Sequence, residues 1–349
     1  MRPALVCALI ALSLFTASLG RGGPSEGRWR GQALGLCWEG SPRSVDGVAL
    51  DPLVKLGVNA ISQTPFAFMR DPKRPELGFD DPSRALEGRG WWGEHAEGIR
   101  FIAGEARERA IATLLKPHIW LHGSWPGEVE MSSEADWEAW FARYREFLLG
   151  WARLAADAKL EGLCIGTELD KTIQREREWR ALIAEVRAIY PGLLTYAANW
   201  THFEEVPFWD ALDALGVNAY FPLSESAQPE LPELVQAWQP IRERLASLSE
   251  RVARPVVFTE IGYHPAERAF ARTWEWGADG AGFLPEVQAR GYEAVLRVFL
   301  GEPWFGGVFF WKWQAEKRGG RRADASTYSP QGLPAEGVLE RVYRESRSG

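Results

Sequence analysis

Short apolar runs alternate with amphipathic segments along the chain from Gln32 onward. The runs have the length of strands, and their nearly continuous apolar character is typical of parallel strands that are covered on both faces. Eight can be distinguished, at 33–38, 58–63, 112–118, 160–166, 194–198, 215–220, 255–259 and 307–311. Their alternation with helical segments predicts a parallel sheet whose strands are joined by helices.

Helical periodicity fills the intervals between these runs. The clearest pattern covers 134–158, where large apolar residues recur every three or four positions from Trp137 onward and Ser133 or its neighbour can cap the first turn. Further helices are predicted at 45–56, 101–109, 176–189, 206–212, 231–248, 285–300 and 335–345.

Eight strand–helix units predict an α/β fold, a (β/α)8 TIM barrel that forms a single domain over 21–349. An open, doubly wound sheet is the alternative. Such sheets usually have a glycine-rich phosphate turn after the first strand, whereas Cys-Trp-Glu-Gly-Ser-Pro occupies 37–42 here. The long segments 72–98 and 311–333 follow strands two and eight, at the face where barrel active sites lie.

Composition narrows the class of partner. The 349 residues are 46% hydrophobic and 25% charged, which is enough apolar material for a large core, and the formal net charge is -7. Because no long basic run is present, neither nucleic acid nor an integral membrane partner is expected. We expect a monomer.

The first twenty residues have the features of a signal peptide. Arg2 precedes the apolar stretch 4–19, and Ser18-Leu19-Gly20 offers small residues for cleavage. We therefore expect a secreted or periplasmic protein. An uncleaved membrane anchor is the alternative, but the stretch is short for a span.

Two cysteines, Cys37 and Cys164, remain beyond that segment. They fall on the first and fourth predicted strands, which are not neighbours in a barrel. Although an exported protein can oxidise its cysteines, we expect two buried thiols here rather than a disulfide.

Two glutamates close apolar runs that read as buried strands. Glu168 ends Gly-Leu-Cys-Ile-Gly-Thr-Glu, and Glu260 ends Pro-Val-Val-Phe-Thr-Glu. A carboxylate at such a position is costly to bury unless another group pairs with it or a reaction uses it. Carboxylates at the ends of two barrel strands face each other across the mouth, which is the arrangement of a glycosidase.

The other strand ends supply aromatic, amide and imidazole groups. Sugars present C–H faces that pack on aromatic rings and hydroxyls that need planar donors and acceptors. The predicted substrate-binding residues are Trp38, His118, Trp120, Asn199, Trp200, Tyr220, Trp311 and Trp313. This set predicts a β-linked oligosaccharide or polysaccharide as the substrate.

Seven ordered segments resemble clan A of the glycoside hydrolases, and within it most closely family 113, whose characterised activity is endo-β-1,4-mannanase. They are Leu-Lys-Pro-His-Ile-Trp (115–120), Gly-Thr-Glu-Leu (166–169), Ala-Asn-Trp (198–200), Asn-Ala-Tyr-Phe-Pro-Leu (218–223), Phe-Thr-Glu-Ile-Gly-Tyr (258–263), Phe-Phe-Trp-Lys-Trp (309–313) and Ser-Pro-Gln-Gly-Leu-Pro-Ala (329–335).

The resemblance implies Glu168 as general acid/base and Glu260 as nucleophile of a retaining enzyme. It also implies that Tyr220 contacts the nucleophile and that Asn199, His118 and Trp311 line the subsite of the sugar under attack. One position departs from the clan: most members have Asn before the acid/base, reaching the sugar 2-hydroxyl, and this chain has Thr167.

Other readings of the same residues stay open. Another β-glycanase or an exo-glycosidase fits the same barrel, and so does a carbohydrate-binding barrel without catalysis. The spacing of His118 and His122 suits a metal, but no third ligand lies nearby in the sequence. We expect neither a metal nor a cofactor.

Overall fold

A computed structural model describes residues 32–80, 82, 91–275, 281–315 and 324–348. In it eight parallel strands form a closed barrel, which confirms the predicted (β/α)8 architecture. The predicted signal peptide, 1–20, lies outside the described residues. Within the described residues, no helix combines the length and the hydropathy needed to span a bilayer.

Ten strands occur in the described part of the chain, eight in the barrel and two above it. The barrel order is β1, β2, β4, β6, β7, β8, β9, β10 and back to β1. The strands are β1 (Ala33–Glu39), β2 (Ala60–Gln63), β3 (Phe66–Met69), β4 (Ala112–Leu115), β5 (His118–Leu121), β6 (Gly162–Thr167), β7 (Leu193–Asn199), β8 (Ala214–Asn218), β9 (Val256–Ile261) and β10 (Phe305–Gln314).

Helices cover the outside of the barrel and bury their apolar stripes against its strands. They are α1 (Asp51–Leu56), α2 (Ala96–Glu108), α3 (Glu134–Asp157), α4 (Glu176–Ile189), α5 (Leu231–Val252), α6 (Pro285–Phe299) and α7 (Pro334–Ser348). In α3, the Tyr144 hydroxyl donates to the Ile165 carbonyl oxygen of β6 at 2.8 Å. This bond ties the longest helix to the strand that leads to Glu168.

The predicted third strand, 112–118, is in fact two strands. Pro117 has no N–H to donate, so the ladder is interrupted between β4 and β5. Pro65 occupies the matching place between β2 and β3, and the His118 N–H donates to its carbonyl oxygen at 2.9 Å. Beyond this break β3 and β5 pair as a separate two-stranded parallel sheet at the mouth of the barrel.

Several predicted helices also differ in detail. The segment predicted at 45–56 begins as a 3-10 turn, Gly47–Leu50, because Pro52 favours a fresh helix start at Asp51. The helix predicted at 206–212 is only a 3-10 turn, Trp209–Ala211. Helix α2 starts at Ala96, five residues before the helix predicted at 101–109 and inside the long segment 72–98.

A small cluster of side chains fills the barrel itself. Below the mouth it contains Cys37, Leu114 and Phe309, all buried. Cys37 and Cys164 are unpaired and buried, which confirms the expected thiols. Burial raises the pKa of the Cys37 thiol to about 11, against the opposing effect of Lys116, so the thiol stays protonated and unreactive at neutral pH.

Candidate active site

Glu168 and Glu260 come from the fourth and seventh strands of the closed barrel. Glu168 follows the last residue of β6, and Glu260 is the penultimate residue of β9. Because all barrel strands run in the same direction, both side chains emerge at the carboxyl end of the barrel. The two carboxyl groups, however, have very different surroundings.

Glu260 is almost fully buried and is held by several side chains. Its Oε1 forms an ion pair and hydrogen bond with Lys116 Nζ, and the Tyr220 hydroxyl donates to Oε2 at 3.1 Å. His118 Nε2 lies 3.4 Å from Oε1, without a hydrogen bond between them. A cation and a hydroxyl donor thus both stabilise the ionised carboxylate.

Lys116 is the principal site residue that the sequence analysis missed. It follows β4 and has no solvent-exposed surface, and its Nζ also donates to the Thr259 carbonyl oxygen at 3.0 Å. Burial lowers the pKa of Lys116, but the attraction of Glu260 and other neighbours outweighs it, and the net shift is upward. The ammonium therefore stays charged under the site. The sequence signal that could have identified Lys116 as a site residue is its position between an apolar strand and a proline.

The Trp311 ring and the His118 imidazole complete the environment of this ion pair. Lys116 Nζ lies 5.6 Å from the Trp311 ring centroid, within cation–π range. The His118 and Trp311 rings are stacked, 6.3 Å apart. Burial and the neighbouring Lys116 ammonium hold the pKa of His118 well below its usual range, so the imidazole is neutral.

Glu168 has a different set of partners, all of them uncharged. Its backbone is left-handed, with φ of 52°, and its N–H donates to the Ala197 carbonyl oxygen at 2.8 Å. Oε1 accepts hydrogen bonds from Asn218 Nδ2 at 3.0 Å and, more weakly, from Asn199 Nδ2 at 3.4 Å. Because both amides donate to Oε1, the other oxygen, Oε2, is the one available to carry a proton.

Hydroxyl groups fix the orientation of both amides. The Thr259 hydroxyl donates to Asn218 Oδ1 at 2.9 Å, and the Thr201 hydroxyl donates to Asn199 Oδ1 at 2.6 Å. With the amide oxygens occupied, the NH2 groups turn toward Glu168. Asn218 and Thr259 were not among the predicted site residues, since nothing in the local pattern marks an inward-facing amide.

Glu168 is the proton-bearing group in this arrangement. Burial, followed by repulsion from Glu260, raises the pKa of Glu168 to about 7, although the Asn218 hydrogen bond acts in the opposite direction. The carboxyl group is therefore substantially protonated near neutral pH. Buried Asp170 adds a further, smaller repulsion, and it pairs with His202 at 2.7 Å.

Thr167 faces away from the open part of the site. Its hydroxyl donates to the Pro117 carbonyl oxygen at 3.2 Å, and its side chain is buried. The amide donors closest to Glu168 are therefore those of Asn199 and Asn218, on β7 and β8.

The predicted aromatic residues divide into two groups. Trp120 is largely exposed, while Trp200 stacks on Trp274 at 5.3 Å. Trp38 and Trp313 are instead 2% and 3% exposed and belong to the main core. The structure thus places Trp38 and Trp313 in the core rather than on the open surface, and their role as sugar platforms stays a prediction.

A second cluster of charges lies at the ends of β1 and β10. Lys312 Nζ pairs with Glu39 Oε1 at 2.6 Å. Burial, together with the nearby Glu39 carboxylate, raises the pKa of Glu94 to about 7.

Within the described residues, no group of three or more His, Cys, Asp or Glu side chains forms a possible metal site.

Comparison with known proteins identifies a family and similar structures. The family model of Glycoside Hydrolase Family 113 matches residues 83–331. A GH113 β-mannanase, AaManA from Alicyclobacillus acidocaldarius in complex with ManMIm, superposes with a TM-score of 0.78 at 26% identity, over 90% of this chain and 98% of that one. No curated protein matches the sequence.

More distant structures share the fold. A GH113 β-1,4-mannanase superposes with a TM-score of 0.74 at 21% identity, covering 90% of this chain and 99% of that one. A β-glucuronidase from Bifidobacterium dentium has a TM-score of 0.58 at 16% identity, covering 90% of this chain but only 46% of its own.

The ion pair at Glu260 predicts a specific pattern of stabilities. Lys116→Met leaves a buried carboxylate without its cation, which should lower the free energy of unfolding by about 3–5 kcal/mol. The double variant Lys116→Met/Glu260→Gln removes both charges and should recover most of that loss. Urea denaturation measures both values.

The exposed pair Arg145–Glu185 provides the control, because Arg145→Met should cost less than about 1 kcal/mol. If the Lys116→Met single and double variants were equally destabilised, the ion pair would not account for the loss.

Proposed function

The chain belongs to glycoside hydrolase family 113, and from that premise we propose that it hydrolyses β-1,4-mannan with retention of anomeric configuration. The observation that carries the proposal is the contrast between the two carboxyl groups. Glu260 is paired with a buried ammonium, whereas the pKa of Glu168 is raised to about 7. A carboxylate held by a cation and a carboxyl group whose pKa is raised can supply the nucleophile and the acid of a retaining glycosidase.

In the first step, a Glu260 oxygen attacks the anomeric carbon and forms a covalent glycosyl ester. Glu168 gives its proton to the departing glycosidic oxygen, which leaves as a neutral hydroxyl. The proton comes from Oε2, because Oε1 accepts the amide hydrogens of Asn218 and Asn199. Formation of the ester neutralises Glu260, so the Lys116 ammonium and the Tyr220 hydroxyl lose an anionic partner. Hydrolysis of the ester in the second step restores that partner and is favoured for this reason.

In the second step, water replaces the leaving group. Glu168, now a carboxylate, takes a proton from the water molecule. The water oxygen attacks the anomeric carbon, and the ester bond to Glu260 breaks. The two amides that donate to Oε1 stabilise the ionised form that this step requires. Both carboxyl groups then have their original protonation.

Among β-glycans, mannan is favoured by the family. Mannose and glucose differ in the direction of the 2-hydroxyl, so groups beside that carbon must distinguish them. Thr167 uses its hydroxyl on the Pro117 carbonyl oxygen, which leaves Asn199 and His118 as the proposed contacts. The AaManA structure, described as a β-mannanase, supports the same substrate class.

The apolar stretch 4–19 supports export of the protein, which N-terminal sequencing of the secreted protein would test.

The separate roles of the two glutamates predict different variant kinetics. Glu260→Gln should abolish the hydrolysis of every substrate, because no nucleophile remains. Glu168→Gln should lose oligosaccharide hydrolysis by about 10²–10⁴-fold but retain the first step on a dinitrophenyl glycoside, whose leaving group needs no proton. Pre-steady-state release of dinitrophenol measures that step.

Asp170→Asn serves as a control in the same assay, since Asp170 is buried beside Glu168 but pairs with His202. An equal loss on both substrate classes in Glu168→Gln would overturn its assignment as the acid.

The substrate proposal predicts a preference that can be measured directly. The value of kcat/KM for mannooligosaccharides should exceed that for cellooligosaccharides of equal length by at least ~10², or ~2.7 kcal/mol of transition-state binding. Initial rates on matched series measure this ratio. Equal turnover of both series would leave the glycosidase intact and replace mannanase with a broader β-glycanase.

A further inference from the structure

The two-stranded sheet above the barrel presents a row of rings on one face. In β3 and β5 every second residue is buried, namely Ala67, Met69, Ile119 and Leu121. The alternate positions form the other face, where Phe66 pairs with His118 and Phe68 pairs with Trp120 across the two strands. Each rung of this face is therefore a pair of ring side chains.

The outer rung is unusually exposed. Phe68 and Trp120 are 55% and 56% exposed, although each carries a large apolar surface. Single exposed apolar residues are common on proteins, but two adjacent rings on one rung form a patch. His118 is neutral, so the four side chains of this face carry no formal charge. Such a surface suits a neutral ligand with apolar faces.

The patch is continuous with the candidate active site. The His118 ring stacks on Trp311 at 6.3 Å, Phe66 meets His118 edge-on at 5.4 Å, and Phe66 meets Trp120 at 6.1 Å. His118 Nε2 in turn lies 3.4 Å from the Glu260 carboxylate. Successive residues on one face of a strand are roughly 6.6 Å apart. Trp120 therefore lies about one sugar ring farther from Glu260 than His118.

We propose that Phe68 and Trp120 form a separate sugar-binding subsite, which packs against the apolar face of a hexose in a β-linked chain beyond the sugar that Glu260 attacks. The inference rests on the proposed function and extends it, because it requires a substrate longer than the reacting linkage. The row of ring contacts that runs outward from Trp311 favours a sugar chain as the occupant, because successive rings can pack against successive sugars of one chain. A surface that binds a protein partner does not need to be continuous with the nucleophile.

The test measures how the loss of each ring depends on chain length. Phe68→Ala and Trp120→Ala are assayed with an activated aryl β-mannoside and with β-1,4-mannooligosaccharides from two to six units. We expect kcat/KM for mannohexaose to fall at least ~10-fold, near the upper end for an aromatic contact. The aryl mannoside should change less than ~2-fold, and Trp120→Phe should restore most of the loss.

Phe101→Ala is the matched control, because Phe101 is 38% exposed on helix α2, outside the barrel. It should leave every chain length unchanged. In a Glu168→Gln background, calorimetry with mannohexaose should show the same loss of affinity for Trp120→Ala. Thermal unfolding of the variants confirms that they are folded.

The two proposals fail in different ways. If the parent enzyme cleaves cellooligosaccharides better than mannooligosaccharides, the substrate proposal fails, and the same chain-length series with cellooligosaccharides tests the subsite. If Phe68→Ala and Trp120→Ala lose nothing at any chain length, or lose equally on the aryl glycoside and the hexasaccharide, the subsite is overturned.

Discussion

The site depends on one interaction, the ion pair between Lys116 and Glu260. Lys116 extends from the third barrel strand to a carboxylate on the seventh, so the pair spans the inside of the barrel. Both groups are removed from water, where an isolated charge would be very costly. Each is compensated by the other and by fixed polar groups, the Thr259 carbonyl oxygen for the ammonium and the Tyr220 hydroxyl for the carboxylate.

This pairing also explains the state of the neighbouring groups. Burial, aided by the fixed cation of Lys116, keeps the His118 imidazole neutral, and burial, aided by the fixed anion of Glu260, raises the pKa of Glu168. Glu168 receives only uncharged amide donors, which hold it without forcing ionisation. The same few side chains therefore keep one carboxyl group ionised and the other protonated, as a double displacement requires.

The sequence predicted the barrel and both glutamates because parallel strands produce apolar runs in which a terminal carboxylate stands out. It did not reveal Lys116, because a lysine at the end of such a run looks like a solvated strand end until its partner on a distant strand is known. It did not reveal the burial of Trp38 and Trp313 either, because the packing around a strand end is not visible in the local pattern. The sheet formed by β3 and β5 was missed because a proline break was read as continuous strand.

The central claim, that Glu168 is the protonated partner of an ionised Glu260, is tested most directly by the pH dependence of kcat/KM. Because the pKa of Glu168 is raised to about 7, its acid form is lost as the pH rises through that value. We predict that kcat/KM for mannohexaose falls tenfold per pH unit above about pH 7. With Glu168→Gln and a dinitrophenyl mannoside, this fall should disappear. A fall centred near pH 4–5, or one that persists in Glu168→Gln, would contradict the account.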